Sequence, residues 1–193
     1  MKCNTVLKTS RLILRPWTLS RDDRETFYVL QSDEKVRRFY PNRNSRSESD
    51  ELLETLISRY STRPMHWCAA CLKQTNEPVG MTGLALFEFD VPFAPGTEIG
   101  WIYRPEYWRK GFASEAAAAL LDHGFNTLKL DEIVAFTAKT NLPSQGVMKK
   151  LGLQRDHNRD FDHPLIIAED QFHLRPHCLY AMTRAQWQKY TQI

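Results

Sequence analysis

Between residues 97 and 127 the sequence predicts a strand that runs into a helix through a short loop. Residues 97–104 have the apolar pattern of a strand, and residues 111–127 are rich in alanine and leucine. The loop carries Arg109, Lys110 and Gly111. A helix amino terminus offers unpaired N–H groups and the positive end of the helix dipole. This junction therefore predicts a pyrophosphate site on an α/β framework.

The order of the other predicted elements places this unit in one domain that spans residues 1–193. Residues 37–47 are polar and arginine-rich, and they are predicted to form a loop. A run of strands followed by strands that alternate with helices predicts a mixed sheet covered by helices. Further strands are predicted at 11–16, 66–73, 78–89, 131–138 and 174–183, and helices at 21–31, 48–60, 143–151 and 184–190.

Composition argues against several other classes of protein. A hydrophobic share of 42% is enough to bury a core. The 26 basic and 23 acidic residues leave a net charge of only +3, so direct nucleic-acid binding is not expected. The apolar stretches are only as long as strands, and the first residues lack an apolar signal region. These features favour a cytoplasmic protein without membrane contact, and they say nothing about its oligomeric state.

Four cysteines are present, at Cys3, Cys68, Cys71 and Cys178. Cys68 and Cys71 have the spacing of a zinc or redox motif. Residues 66–72 are predicted to form a buried strand, on which positions three apart point to opposite faces. No second pair of cysteines or histidines completes a metal site. We therefore expect core cysteines and no metal.

The junction at residues 108–116 carries a more specific motif than a glycine-rich turn. It lacks the GK[ST] ending of a P-loop and the GxGxxG dinucleotide fingerprint. It resembles the acetyl-CoA signature Q/R-x-x-G-x-G/A of the GNAT superfamily, in the tryptophan-first form typical of the RimJ/RimL-type branch of ribosomal-protein N-terminal acetyltransferases. Residues 140–153 resemble the family's N-x-x-S-x-x-x-x-x-x-L-G-F/L element. Because Trp108 occupies the Gln/Arg position, no side-chain phosphate contact is expected there.

The resemblance extends from about residue 12 to residue 187 and implies an α/β (α+β) fold. In that fold a mostly antiparallel mixed sheet has a central splay between two parallel strands. Acetyl-CoA would be the cosubstrate, with its pantetheine arm against the strand ending in Trp101, Ile102 and Tyr103. Asn141 would hydrogen-bond the same arm, although Asn-Leu-Pro-Ser is also the pattern of a helix cap. The pyrophosphate would lie on the backbone amides of Arg109, Lys110, Gly111, Phe112, Ala113 and Ser114.

The same resemblance makes Ser144 the candidate general acid for the leaving thiolate, with a purely local cap as the alternative. Attack on a thioester needs a neutral amine. At pH 7, deprotonation costs about 1.4 kcal/mol for an α-amine and about 4.6 kcal/mol for a lysine amine. Glu98, on the cofactor strand, is one candidate base, and its alternative is a paired or solvated carboxylate. His163 is the other, and its alternative is a histidine that orders the turn before Pro164.

The sequence thus predicts transfer of an acetyl group from acetyl-CoA to a primary amine by direct attack. By resemblance alone, the preferred acceptor is the N-terminal α-amine of a ribosomal or other protein. Three alternatives stay open: acetylation of a small amine such as an antibiotic or polyamine, a non-catalytic CoA sensor, and an RNA-associated protein. Tyr180 could line the acceptor groove or belong to the core. The basic residues of region 37–46 could contact a partner or form a solvated surface: Arg37, Arg38, Arg43 and Arg46.

Overall fold

The structure of the protein, a computed structural model, describes residues 6–60, 62 and 66–192. Short 3₁₀ turns cover Pro105–Tyr107 and Glu169–Leu174, and a π-helical segment, His123–Thr127, extends the helix Phe112–Asp122. The helices are α1 (Arg21–Ser32), α2 (Glu34–Arg37), α3 (Arg46–Tyr60), α4 (Phe112–Asp122), α5 (Leu142–Lys150) and α6 (Arg184–Tyr190). The strands are β1 (Leu7–Lys8), β2 (Leu12–Arg15), β3 (Cys68–Leu72), β4 (Pro78–Phe87), β5 (Gly96–Tyr103), β6 (Glu132–Ala138), β7 (Gln154–Asp162) and β8 (Pro176–Thr183).

Within the described residues, the strands form one eight-stranded sheet in the order β1-β2-β3-β4-β5-β6-β8-β7. The neighbouring strands run antiparallel. The exception is the central pair, β5 and β6, which is parallel. This arrangement confirms the predicted mixed, mostly antiparallel sheet with a parallel pair at its centre.

Helices cover both faces of the sheet, and each face has its own core. On one face, which we call the α4 face, Phe112 of α4, Met148 of α5 and Trp187 of α6 are buried together. On the other, the α1 face, Phe27 of α1 and Leu53 of α3 pack with strand residues of β3 and β4. Side chains alternate between the two faces along each strand, so neighbouring residues of β5 serve different surfaces. This alternation decides which residues can meet at a site.

Several elements differ from the prediction, among them β1, which was not predicted. The short helix α2 ends inside the predicted loop 37–47, and α3 begins at Arg46 rather than at residue 48. Strand β7 was not predicted. It lies at the edge of the sheet against β8 alone and has no fully buried residue, so it lacks the apolar alternation that marks a half-buried strand. Its charged side chains form ion pairs instead, including Arg155 with Asp160 at 2.5 Å.

The two thiols of the Cys68–Cys71 motif lie in different cores. Cys68 belongs to the core of the α4 face and Cys71 to the core of the α1 face. Burial raises the pKa of Cys68 to about 12 and that of Cys71 to about 11. The expectation that they point to opposite faces is confirmed, whereas Cys3 lies outside the described residues. Among the helices that the structure describes, none is both long and apolar enough to cross a membrane.

Candidate active site

The sheet opens between β5 and β6. In the part of the chain that the structure describes, Glu98 and Val134 are the one residue pair that joins these strands. β5 stays paired with β4 as far as Tyr103, and β6 stays paired with β8 as far as Ala138. Beyond Glu98 the facing edges therefore diverge, and no strand among the described residues pairs with the β6-facing edge of β5 around Trp101. An extended molecule with amide groups, such as a pantetheine arm, fits this gap.

The loop after β5 has an unusual backbone, which the chain itself braces. Arg109 has a φ of 59° and Gly111 a φ of 81°, so both lie in the left-handed region. Glycine adopts this region freely, whereas at Arg109 it costs about 1 kcal/mol. The indole Nε1–H of Trp108 donates a hydrogen bond of 2.7 Å to the carbonyl of Tyr103. Trp108 therefore ties the loop to the end of β5.

The amino terminus of α4 is open to an anion. Gly111 is the N-cap residue, and no side chain caps the helix there. The hydroxyl of Ser114 donates to the Gly111 carbonyl at 3.0 Å rather than covering the first N–H groups. Arg109 and Lys110 are exposed beside them. Free N–H groups, two cations and the helix dipole fit the pyrophosphate of acetyl-CoA.

The amino terminus of α5 lies on the same face, just after β6. The Asn141 side chain caps this helix by accepting from the Ser144 N–H at 3.3 Å, and its Nδ2 donates to Thr137 Oγ1 at 2.9 Å. The cap interpretation of Asn141 is therefore confirmed. The Ser144 hydroxyl is not the cap, and it makes no hydrogen bond with any residue that the structure describes. It lies half-buried at the positive end of α5, where a thiolate would be stabilised.

Glu98 points to the α1 face, away from both helix termini. Gly100 and Ile102 share its parity on β5, and Ile102 packs into the core of the α1 face. Burial raises the pKa of Glu98 from an ordinary 4.5 to about 7. The carboxyl thus lies at the point where β5 and β6 part, and it is half ionised near neutral pH. It is on the opposite face from the loop at residues 108–111, which we call the phosphate loop.

Two aromatic residues border Glu98 and Gly100, and neither was predicted as a site residue. A Cβ built on Gly100 would lie 2.4 Å from the Trp67 ring, so this glycine admits the indole. Tyr40 lies near Glu98: burial raises its pKa to about 12, Glu98 adds to this shift, and Arg37 opposes it. Although 37% of Tyr40 is exposed, protein surrounds its hydroxyl end. A glycine inside a strand is the sequence signal that could have indicated such close packing.

His163 also lies on the α1 face, but unlike Glu98 it is surrounded by other aromatic rings. Its ring is 4.8 Å from that of His177 and 5.0 Å from that of Phe89. Burial lowers the pKa of His163 to about 4, and the neighbouring His177 adds to the shift. Its Nδ1 accepts the Leu165 N–H at 3.3 Å, which leaves Nε2 as the protonated nitrogen. Near neutral pH this ring is a weak base with its lone pair already engaged.

The other predicted candidates have partners within the chain. Tyr180 is 2% exposed on the α4 face, and its hydroxyl donates to Gln145 at 3.3 Å, so it belongs to the core rather than to the acceptor groove. Arg37 stacks on Tyr40 at 4.1 Å, and Arg46 pairs with Glu25 at 2.9 Å. The region 37–46 is also tied to the segment before β8, because Gln171 donates to the Pro41 carbonyl at 2.5 Å. Together these two segments wall the α1 face of the gap.

Comparisons with known proteins agree with this geometry. Residues 11–154 match the family model described as "Acetyltransferase (GNAT) domain". The uncharacterized N-acetyltransferase YoaA of Bacillus subtilis is 30% identical over 154 residues, which are 78% of this chain and 84% of that protein. The crystal structure of a GNAT-family acetyltransferase from Bacillus anthracis superposes with a TM-score of 0.77 at 26% identity, covering 94% of this chain and 99% of that one.

Two more distant structures share the fold and differ in their acceptors. The ribosomal-protein-S5-alanine acetyltransferase from Vibrio fischeri has a TM-score of 0.72 at 17% identity, covering 95% of this chain and 99% of that one. A chimera of the spermidine N-acetyltransferase SpeG from Vibrio cholerae and hSSAT has a TM-score of 0.69 at 19% identity. The match covers 93% of this chain and 99% of that one. The family match spans most of the sequence and includes both predicted motifs, at residues 108–116 and 140–153. The chain therefore belongs to the GNAT family of acetyl-CoA-dependent N-acetyltransferases.

Proposed function

We propose that this enzyme acetylates the N-terminal α-amine of a protein, with Glu98 as general base and Ser144 as general acid. The observation that carries the proposal is the position of Glu98. Its carboxyl lies where β5 and β6 part, on the face opposite the phosphate loop, with a pKa raised by burial to about 7. A carboxylate that titrates near neutral pH and faces a gap in the sheet is suited to take a proton from an amine.

The two faces of the sheet would hold the two substrates. The phosphate loop and the amino termini of α4 and α5 belong to the α4 face, so the nucleotide end of acetyl-CoA would bind there. The free edge of β5 would direct the pantetheine arm into the gap. The acceptor would then approach from the α1 face, between Trp67, Tyr40 and the Gln171–Pro41 bridge. Glu98 would meet the amine where it reaches the thioester.

The proposed reaction balances without a covalent enzyme intermediate. The amine lone pair forms the N–C bond with the acetyl carbonyl, the C–S bond breaks, and the proton released by the amine goes to Glu98. Ser144 donates a proton to the departing thiolate at the positive end of α5. Solvent then returns a proton to Ser144 and takes up the proton held by Glu98, so both side chains regain their starting states. His163, with a pKa near 4 and its Nδ1 engaged, is less suited to accept the amine proton. Its place beside the aromatic rings supports a role in shaping the acceptor wall.

Matching of pKa values favours an α-amine over a lysine or polyamine amine. An α-amine has a pKa of about 8, one unit above Glu98, whereas a lysine amine lies at about 10.4. Moving a proton to Glu98 then costs about 1.4 kcal/mol of free energy from an α-amine and about 4.6 kcal/mol from a lysine amine. A polyamine would also carry further ammonium groups, which the guanidinium of Arg37 beside Tyr40 would repel. Both points favour a protein N-terminal amine over a polyamine as the acceptor. Structures of the same fold are named for each of these two acceptor types.

The test is thiol release from acetyl-CoA with four acceptor classes: peptides with free N-termini, the same peptides N-terminally blocked but with one lysine, polyamines, and aminoglycosides. We expect release with free N-termini alone. Release with polyamines or aminoglycosides alone would replace this acceptor with a small amine. Gly111→Asp should abolish CoA binding, because it puts a carboxylate at the α4 terminus. Unchanged CoA affinity in that variant would refute the phosphate site. A single domain over residues 1–193 and a cytoplasmic location stay predictions.

A further inference from the structure

The phosphate loop has a partner on a distant part of the chain. Arg11, just before β2, reaches the loop from about a hundred residues away in sequence. Its Nη1 donates to the Lys110 carbonyl at 2.9 Å, and its guanidinium lies 4.4 Å from the centre of the Phe112 ring. Nη2 would be 3.4 Å from a Cβ built on Gly111. One side chain thus contacts Lys110 and Phe112 and lies beside Gly111 between them.

The same arginine is bound to a carboxylate in the first turn of α4. Glu115 accepts from the Arg11 backbone N–H at 2.7 Å and from Arg11 Nε at 2.6 Å. Thr9 Oγ1 donates to the same carboxylate at 2.5 Å. Burial alone would raise the pKa of Glu115, but the bonds from Thr9 and Arg11 outweigh it and keep this carboxyl ionised. An ionised glutamate therefore lies one turn from the amides that would bind two phosphates.

This placement poses an electrostatic conflict that Arg11 resolves. A carboxylate near the amino terminus stabilises a helix that has no ligand there. The same carboxylate repels an anionic ligand that binds at this end. The ion pair with Arg11 cancels that charge, and the bond to the Lys110 carbonyl holds the left-handed loop in shape. We propose that Arg11 is a positioning residue for the pyrophosphate loop, which it keeps in shape while neutralising Glu115. The inference rests on the proposed CoA site.

Three variants separate the electrostatic role from a structural one: Arg11→Met, Glu115→Gln and the double variant. We expect Arg11→Met to weaken CoA binding at least about tenfold, since it removes a charge-assisted bond and leaves the Glu115 charge without its cationic partner beside the phosphates. Glu115→Gln should bind CoA at least as tightly as the wild type. The double variant should recover most of the loss, to within about threefold of the wild type. A fourth variant, Arg11→Lys, keeps the positive charge but cannot bridge Glu115 and Lys110. Its affinity for CoA should lie between those of the wild type and Arg11→Met.

The measurements are CoA dissociation constants by calorimetry and kcat/KM with two donors, acetyl-CoA and S-acetylpantetheine. The second donor lacks the pyrophosphate, so Arg11→Met should lower kcat/KM for acetyl-CoA much more than for S-acetylpantetheine. An equal loss with both donors, or a double variant no better than Arg11→Met, would overturn the inference. So would an Arg11→Met protein that is folded by circular dichroism and binds CoA within twofold of the wild type.

The control is Gly111→Asp. If Gly111→Asp abolishes CoA binding and Arg11→Met leaves it intact, the site stands and this inference fails. If Gly111→Asp binds CoA normally, the proposed site itself is wrong.

Discussion

Replacing Glu98 by glutamine should remove activity and stabilise the fold, with both effects depending on pH. Because its pKa is about 7, the carboxyl is about 10% ionised at pH 6, 50% at pH 7 and 90% at pH 8. For the wild type, kcat/KM should thus rise about fivefold from pH 6 to pH 7 and less than twofold from pH 7 to pH 8. Loss of a general base lowers the rate by about 10²–10⁴. Glu98→Gln should show that loss and lack the step near pH 7.

The sign of the stability effect follows from the proton balance. Between pH 4.5 and about 7, the folded chain keeps a proton on Glu98 that the unfolded chain has lost, so the free energy of unfolding falls as the pH rises. The shift from 4.5 to about 7 corresponds to about 3 kcal/mol above pH 7. Because Glu98 keeps some solvent contact, we expect about 1–2 kcal/mol in practice. Glutamine carries no charge and avoids this cost.

Urea unfolding at pH 5 and pH 8 measures the effect directly. Glu98→Gln should exceed the wild type in stability by about 1–2 kcal/mol at pH 8 and by much less at pH 5. Glu88→Gln, at an exposed glutamate just after β4, is the matched control and should change neither stability nor the pH profile of kcat/KM. The reasoning is refuted if Glu98→Gln gives the same stability change at both pH values, or if its kcat/KM profile keeps the step near pH 7.

Three further variants test the surroundings of the site. Ser144→Ala should lower kcat about tenfold or more, with CoA affinity within about twofold of the wild type, and normal turnover would remove Ser144 from the mechanism. Trp108→Phe keeps an aromatic ring but loses the hydrogen bond to the Tyr103 carbonyl, so CoA binding should weaken by about 1 kcal/mol, or roughly fivefold. Equal affinities of the variant and the wild type would show that the loop does not need this hydrogen bond. Asn141→Ala should lower the free energy of unfolding by about 1 kcal/mol through loss of the α5 cap, which denaturant titration can check against the neighbouring exposed variant Leu142→Ala.

Much of the fold followed from local patterns. Alternating apolar residues predicted the buried strands, and helical spacing predicted α1, α3, α5 and α6 to within a few residues. Strand β7 escaped because an edge strand held by ion pairs has no apolar alternation to detect. The short helix α2 was also missed, since four residues give too little periodicity for a prediction.

The candidate site also has one part that local sequence could predict and another part that it could not. The loop at Gly111 could be predicted because its chemistry is local: a glycine, two cations and the start of a helix follow one another along the chain. The environment of a titrating group is not local. The sequence left both Glu98 and His163 as candidate bases, and only the structure shows that one is buried at the opening of the sheet and the other among aromatic rings.

By itself, the sequence predicted most of the succession of strands and helices, a candidate anion-binding junction and the resemblance to an acetyltransferase family. These features depend on residues close together in the chain, whose backbone preferences and spacing act before any tertiary contact forms. Only the tertiary structure decided that Glu98 faces away from the phosphate loop, that Trp67 packs on Gly100, and that Arg11 pairs with Glu115. Each of these depends on which face of the sheet a side chain occupies and which distant segment meets it there. Packing of the whole chain sets both.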